Sequence, residues 1–263
     1  MSEFHSHPYF LTPRRLNPGY PLFVFLPGMD ESTSLAHLQT STVETGFDVR
    51  TLVIPPDFSA SWDILAQQVV ALTTAELEKV PRQSAYLCGQ CFGACLVLKV
   101  MLRAPKLFNR FILINSASSF NFNPWFHCGS LLTPMLPKPL YKMLSITGLP
   151  ILASLKQMTQ ANRQALLESI CSVPLKTSIQ HLSLLRRFNV DEKQLHQVTK
   201  PVLIVASNGD RLFPSLAEAR RLVKIFPNAQ LVTLPNSGHA CLLEADINLY
   251  EIMQSENFFD NLD

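Results

Sequence analysis

The amino-acid sequence predicts an α/β fold in which a mostly parallel sheet carries helices on both faces and is interrupted by a helical insertion. Three observations support this class. Short, nearly continuous apolar runs alternate with helical patterns, the alternation stops between residues 117 and 199, and it resumes at Pro201. The chain of 263 residues is also long enough to bury a sizeable core.

Each short apolar run is predicted to be a buried strand, and each longer amphipathic run a helix. Ser61 is the predicted cap of the first helix, and Pro105 ends the second. The predicted strands lie within 21–28, 49–56, 84–89, 110–117, 201–210 and 229–235. The predicted helices lie within 61–80, 92–105 and 215–226 and near 242–253.

The insertion at 117–199 is predicted to form a helical cap, which leaves 1–116 and 200–263 as the α/β core. It holds short helical patterns and no convincing strand. Prolines interrupt it repeatedly, at Pro134, Pro137, Pro139, Pro150 and Pro174.

Composition limits the possible functions. Charged residues make up 16% of the chain, the mean hydropathy is +0.15 and the net charge is +2. So small a charge, without a basic run interleaved with aromatics, argues against nucleic-acid binding. No N-terminal stretch resembles a signal peptide, and no apolar run makes a good bilayer span of about 20 residues. We therefore expect a soluble, cytoplasmic protein whose six cysteines are free thiols.

The segment Gly89-Gln90-Cys91-Phe92-Gly93 stands between a predicted strand and a predicted helix. This G-x-C-x-G pattern is that of a nucleophile elbow with Cys at the position where Ser is commoner. The turn is so tight that bulky flanking residues are excluded, which explains the two glycines. It would place the sulfur of Cys91 above the sheet at a helix N-terminus, where the helix dipole favours a thiolate.

Two other interpretations of this segment involve Cys88 and Cys95. A zinc site needs four ligands, and these cysteines with Cys91 supply three, from a strand, a turn and a helix. A redox pair of Cys88 and Cys91 would be expected at the start of a helix, whereas Cys88 lies within the strand. We therefore interpret Cys88 and Cys95 as small core residues and expect no metal.

A nucleophile elbow requires an acid and then a histidine, each after a later strand. Asp210 follows one predicted strand and His239 follows the next. Alone, Asp210 is explained as a turn residue and His239 as the start of a helix. Together, in the correct order and at the carboxyl ends of strands, they predict a catalytic triad with Cys91. The backbone N–H groups of Phe92 and Met29 are the predicted oxyanion hole.

The segments LPGMD, GQCFGA, SNGDRLFP and SGHA resemble those of the α/β-hydrolase superfamily over nearly the whole chain. The first two more closely resemble the lipase/thioesterase-like domain of plastid phytyl ester synthases and their cyanobacterial relatives. Those proteins typically read L-P-G-x-D-G-x-G and G-E-S-F-G-A. The resemblance implies an α/β-hydrolase fold and acyl chemistry.

The sequence departs from that pattern at two places. Glu31-Ser32 replaces the glycine after Asp30, so that a glycine-rich oxyanion loop is lost. Cys91 replaces Ser, as in dienelactone hydrolases and polyhydroxyalkanoate synthases. The acyltransferase-like domain of the plant synthases has no counterpart in this sequence, so transfer to phytol is not implied.

These observations predict an enzyme in which Cys91 attacks an ester or thioester carbonyl, His239 carries the proton and Asp210 orients the imidazole. No metal or organic cofactor is expected. Two alternatives stay open: an acyltransferase that uses an acceptor other than water, and a non-catalytic lipid or ligand carrier that kept the fold.

The apolar side chains of the cap predict the kind of substrate. We expect Phe120, Trp125, Met135 and Leu149 to bind a lipophilic small-molecule ester or thioester with a long acyl or prenyl chain. Peripheral contact of the cap with membranes is a further expectation.

Overall fold

A seven-stranded sheet lies at the centre of the computed structural model, which describes residues 6–11, 15–29, 33–80, 82–120 and 124–260, without the side chains of 33–34 and 124–127. The strands are β1 (Tyr9–Leu11), β2 (Leu22–Leu26), β3 (Asp48–Val53), β4 (Ala85–Gln90), β5 (Arg110–Ile114), β6 (Val202–Ser207) and β7 (Ala229–Leu234). Their order across the sheet is β1-β3-β2-β4-β5-β6-β7. All neighbours are parallel except β1 and β3, which confirms the predicted mostly parallel sheet.

Helices fill the connections between the strands. The first predicted helix begins where expected, because Ser61 Oγ accepts a hydrogen bond from the N–H of Ile64 at 3.3 Å. No helix of the described ranges is long and apolar enough to cross a membrane. The helices are α1 (Thr33–Thr40), α2 (Trp62–Lys79), α3 (Phe92–Arg103), α4 (Pro124–Leu132), α5 (Lys138–Thr147), α6 (Leu149–Leu152), α7 (Gln160–Ser172), α8 (Leu175–Arg186), α9 (Glu192–His196), α10 (Ser215–Ile225) and α11 (Leu249–Ser255).

Two hydrophobic cores lie on opposite faces of the sheet, because successive side chains of a strand point to opposite sides. Along β2, Leu22, Val24 and Leu26 belong to one core, and Phe23 and Phe25 belong to the other. Helices α2, α3 and α10 cover the first core, and α11 covers the second. Strands buried on both faces account for the nearly continuous apolar runs of the sequence.

Two elements differ from the prediction. Strand β1 was not predicted; its three half-buried residues pair antiparallel with β3. The predicted C-terminal helix near 242–253 is wrong at its start, because Cys241–Leu243 form a short 3-10 helix. Helix α11 begins after Asn248, whose Oδ1 accepts a hydrogen bond from the N–H of Tyr250 at 3.0 Å.

Between β5 and β6 the described residues form α4 to α9 and add no strand to the sheet. This segment is the predicted cap, 117–199. Its two ends pack on the core, since Phe120 near the start and Leu195 and Val198 near the end are buried in the first core. The exact cap boundaries stay predictions, because packing is continuous across both of them.

One edge of the cap is bonded to the loop after β7, residues 235–245. The N–H of Ala240 donates to the carbonyl of Leu152 at 3.0 Å. A Cβ atom at Gly238 would lie 2.6 Å from the backbone nitrogen of Ser154, so glycine is required for this close approach. Further hydrogen bonds along this edge join Ala245 N–H to Gln157, Ser154 Oγ to Asn236 and Asn162 Nδ2 to Leu243.

Candidate active site

Cys91 lies in the tight turn between β4 and α3. Its φ of 53° and ψ of −111° form a backbone conformation that residues with side chains rarely adopt. A Cβ atom on Gly89 would lie 2.4 Å from the carbonyl carbon of Gly93. One on Gly93 would lie 1.9 Å from the carbonyl oxygen of Leu26. The two glycines therefore allow the turn to close, as a nucleophile elbow requires.

The cysteines of this segment do not form one cluster. Cys88 belongs to one core of the sheet, and Cys91 and Cys95 belong to the other. Burial raises the pKa of the Cys88 and Cys95 thiols well above its usual range, which keeps both protonated and unreactive. In the part of the chain that the structure describes, no group of three or more His, Cys, Asp or Glu side chains is placed to hold a metal ion.

Asp210 and His239 meet at the carboxyl ends of β6 and β7. Nδ1 of His239 lies 2.7 Å from Oδ2 of Asp210, and both side chains are almost fully buried. Oδ1 of Asp210 accepts hydrogen bonds from the N–H groups of Leu212 at 2.9 Å and Phe213 at 3.0 Å. The hydroxyl of Ser215 also donates to Oδ2. With Nδ1 bonded to the carboxylate, Nε2 is the ring nitrogen available for proton transfer.

The charges of this pair are set by their surroundings. Burial alone would raise the pKa of Asp210, but the hydrogen bond to His239 and the charge of its ring outweigh burial and lower it. Burial alone would lower the pKa of His239, but the charge of Cys91 and the bond to Asp210 raise it to about 10. Nε2 of His239 is buried without a well-aligned hydrogen bond, although Cys91 is close enough to act on the ring.

We expect the imidazole of His239 to titrate near pH 10 in the wild-type protein and at lower pH in Cys91→Ala, because Cys91 is one cause of the raised pKa. The ring nitrogens can be followed by ¹⁵N NMR through neutral and alkaline pH. Because the folded pKa exceeds the usual value of 6.5, the stabilisation it gives is complete below pH 6.5 and is lost as the pH rises towards 10. A wild-type titration near 6.5 would contradict this charge state.

Two polar side chains that the sequence analysis did not single out hold the backbone of His239. Asn115, at a φ of 43°, donates from Nδ2 to the carbonyl of His239 at 2.8 Å and to Ser207 Oγ at 2.9 Å. Gln90 donates to the same carbonyl at 3.2 Å. Both residues lie near the carboxyl end of a predicted strand, and this position could have marked them as site residues in the sequence.

The predicted oxyanion donors lie on either side of Cys91. Phe92 is the first residue of α3, so its N–H has no partner within the helix. Met29 is half-buried and lines the same cavity as Cys91. The close contact of Gly93 with the carbonyl oxygens of Leu26 and Pro27 brings this loop against the elbow. Their role as donors stays a prediction.

A cavity of about 370 Å³ between the core and the cap is lined by both Cys91 and His239. Of the predicted substrate-binding residues, Phe120 lines it. The structure does not bring Met135 there, as this side chain is 78% exposed. Leu149 does not line the cavity either; it packs against a small cluster behind the cavity wall. The side chain of Trp125 is outside the described residues. The cap residues that line the cavity include Tyr141, Leu144, Ser145, Leu152, Leu166, Ser169 and Ile170.

Comparison with known proteins assigns the chain to one protein family. A family model described as serine aminopeptidase, S33, matches residues 57–246, a range that contains Cys91, Asp210 and His239. Phytyl ester synthase 1, chloroplastic, of Arabidopsis thaliana is 28% identical over 257 residues, which cover 89% of this chain. The match covers 36% of the plant protein, so the chain spans about a third of that relative. Because that relative is named as chloroplastic, a cytoplasmic location stays a prediction.

A second relative and a solved structure extend the comparison. Putative carbamate hydrolase RutD of Pseudomonas savastanoi pv. phaseolicola is 26% identical over 193 residues, which cover 71% of each chain. The structure of MGS-M2, an alpha/beta hydrolase enzyme from a Medee basin deep-sea metagenome library, has a TM-score of 0.72. The two sequences are 19% identical, and the superposition covers 97% of this chain and 96% of the MGS-M2 chain. This likeness confirms the predicted fold.

Proposed function

Because the chain belongs to the serine aminopeptidase, S33, family of α/β-hydrolases and is a hydrolase-type enzyme, we propose that it cleaves or transfers the acyl group of a lipophilic ester or thioester. The reaction passes through a covalent thioester on Cys91, with His239 and Asp210 completing the triad. Met29 and Phe92 supply the oxyanion hole. The family description names serine enzymes, whereas this chain carries cysteine at the elbow.

The observation that carries the proposal is one mostly apolar cavity that is lined by both Cys91 and His239. None of the described residues that line it is Asp, Glu, Lys or Arg, so beyond Cys91 and His239 themselves the cavity offers no ionic partner to a charged substrate. An uncharged acyl chain fits these walls, because burial of each methylene contributes about 0.8 kcal/mol. Apolar lining residues include Leu35, Phe120, Leu152, Leu166, Ile170, Leu182, Phe213 and Leu243.

In the first half of the reaction, the sulfur of Cys91 forms a bond to the carbonyl carbon and the carbonyl oxygen takes up the negative charge. The thiol proton is held on Nε2 of His239. The N–H groups of Met29 and Phe92 donate to the oxyanion. When the tetrahedral species collapses, the bond to the leaving group breaks, and the departing oxygen or sulfur takes the proton from His239.

In the second half, water or another hydroxyl attacks the thioester and gives its proton to Nε2 of His239. Collapse then releases Cys91 and either a free acid or a new ester. Asp210 keeps Nδ1 bonded throughout and stabilises the positive ring. These side chains account for every proton and electron pair, so the proposal includes no metal and no organic cofactor.

Acyl-chain length gives the test of this proposal. We expect kcat/KM for p-nitrophenyl esters to rise several-fold, and at most about tenfold, for each added pair of carbons until the cavity is filled. The measurement is kcat/KM for a series of p-nitrophenyl esters from acetyl to palmitoyl. If acetyl and butyryl esters are turned over as well as decanoyl and palmitoyl esters, the proposal of a lipophilic substrate is wrong. A small ester or a lactone would then be the substrate class.

Ser145→Phe and Met135→Phe provide a matched pair for the same series. Ser145 lines the cavity, so phenylalanine there should lower kcat/KM for palmitoyl esters while acetyl esters are little affected. Met135 lies outside the cavity and is exposed, so phenylalanine there should leave the whole series unchanged. Equal effects of the two variants would contradict the placement of the acyl chain.

Acyl transfer is the second candidate, favoured by the likeness to a protein named as a synthase and by a second cavity. That cavity, of about 250 Å³, shares Gly28 with the first and is lined by Phe92 and His181. It offers room for an acceptor next to the oxyanion loop. The ester assay with a long-chain alcohol present separates the candidates, since hydrolysis gives the free acid and transfer gives a new ester.

A further inference from the structure

The outer surface of the cap is apolar. Eight large apolar side chains from residues 131–151 are between 38% and 78% exposed. In the rest of the described chain, three large apolar side chains are comparably exposed, those of Leu16, Tyr20 and Ile64. Single exposed apolar residues are ordinary, but a concentration in one short segment marks an interaction surface. The eight are Leu131, Leu132, Met135, Leu140, Met143, Leu144, Ile146 and Ile151.

Helix α5 separates the cavity from this outer surface and carries apolar groups towards both. None of its residues is buried. The residues that line the cavity recur at helical spacing, and a second apolar row lies between them on the outside. Leu144 belongs to both, as it is 47% exposed and also lines the cavity, so the cavity reaches the surface beside it. The cavity row is Tyr141, Leu144 and Ser145, with Gly148 just after the end of the helix, and the outer row is Leu140, Met143 and Ile146.

The charges in and around this segment have one sign. Between residues 117 and 167 the sequence contains Lys138, Lys142, Lys156 and Arg163 and no Asp or Glu. All four basic side chains are exposed. Lys138 and Lys142 lie one turn apart on α5, beside its outer apolar row. An apolar row bordered by lysines is typical of helices that lie in the interface of a bilayer with anionic lipids.

We propose that the cap docks on the surface of an anionic lipid bilayer, with the apolar side chains of 131–151 in the interface and the lysines on the lipid phosphates. A lipophilic substrate then enters the cavity directly from the bilayer beside Leu144. This route rests on the proposed function, since it takes the cavity as the substrate site, but the docking itself does not. A second copy of the chain is a poorer partner, because a two-fold contact would bring the basic residues together without an acidic partner.

The experiment is flotation of the full chain with phosphatidylcholine vesicles, made with or without a third of phosphatidylglycerol. We expect binding to the anionic vesicles that weakens as salt is added. Lys138→Gln/Lys142→Gln should weaken it about 30-fold. Met135→Glu/Met143→Glu should weaken it at least about tenfold. Leu16→Glu/Ile64→Glu, which makes the same charge change at exposed apolar positions outside the cap, should bind as the wild type does.

Several results would overturn the proposal. The wild-type chain could fail to float with anionic vesicles, or it could bind neutral vesicles equally well. Equal loss of vesicle binding in the cap variants and in the control variant would also contradict the proposal. A dimer by light scattering that Met135→Glu/Met143→Glu dissociates, without vesicle binding, would assign the surface to a second copy. None of these measurements uses turnover, so failure of docking is distinguished from failure of the proposed chemistry.

Discussion

Cys91→Ala is expected to lose turnover of every acyl donor by about 10⁴-fold to 10⁶-fold, the usual cost of removing a covalent nucleophile. Folding should be little affected, because the change removes one sulfur atom and Ala, like Cys, has a single Cβ at the strained φ of 53°. The measurements are kcat/KM with a long-chain ester and the melting temperature of both proteins. Intact mass of the wild type after brief exposure to the ester should show one acyl adduct, absent from the variant.

Cys95→Ala is the matched control, because Cys95 lies on α3, the helix that follows Cys91, and is fully buried. It should lose about 1 kcal/mol of stability and keep its activity. Iodoacetamide should modify Cys91 ahead of Cys88 and Cys95. Alkylation of the exposed Cys128 should not inactivate the enzyme. Activity that survives in Cys91→Ala would remove Cys91 as the nucleophile, and a wild type without turnover or adduct would favour the carrier.

Gly93→Ala is expected to be the most damaging single methyl addition in the site. The new Cβ would lie 1.9 Å from the carbonyl oxygen of Leu26 and 2.6 Å from that of Pro27. Both neighbours are backbone atoms, so neither moves without displacing the oxyanion loop. We expect a loss of about 3–5 kcal/mol in the free energy of unfolding, measured in urea. Any folded fraction should be at least about a hundredfold less active, because the amide of Met29 is displaced.

Gly19→Ala is the control for this change, since a Cβ at Gly19 would have no atom within 4 Å. Its stability should stay within about 0.5 kcal/mol of the wild type, with unchanged activity. If Gly93→Ala is as stable and as active as Gly19→Ala, the elbow does not require the contact with Leu26.

The central strands and the order of the site residues were predictable because their signals are local. A strand buried on both faces, such as β6 before Asp210, is itself an apolar run. His239 comes shortly after β7, which is only partly buried but still carries two leucines and a valine. Strand β1 gave no such signal. Its three residues are too few for a pattern, and its pairing partner β3 lies far along the chain. The exposed tail of the predicted cap likewise gave no sign that Leu195 and Val198 pack on the core.

The walls of the cavity were less predictable, because apolar residues of the cap face in two directions. Met135 and Leu144 are both large and apolar in the sequence, yet only Leu144 lines the cavity. Periodicity identifies the two rows of α5 but not which row faces inward, since that depends on tertiary packing. Ser215 was missed for a similar reason, as its bond to Asp210 depends on how the chain turns into α10.

The hydrogen bonds that join the cap to the loop of His239 have a mechanical consequence. The carbonyl of Leu152 holds the N–H of Ala240, the residue next to the proton carrier. A movement that lifted the whole cap would pull on this hydrogen bond and draw the imidazole of His239 away from Asp210. We therefore expect substrate to enter beside Leu144 on α5, where the cavity reaches the surface. Opening at the bonded edge would expose the cavity but stop proton transfer.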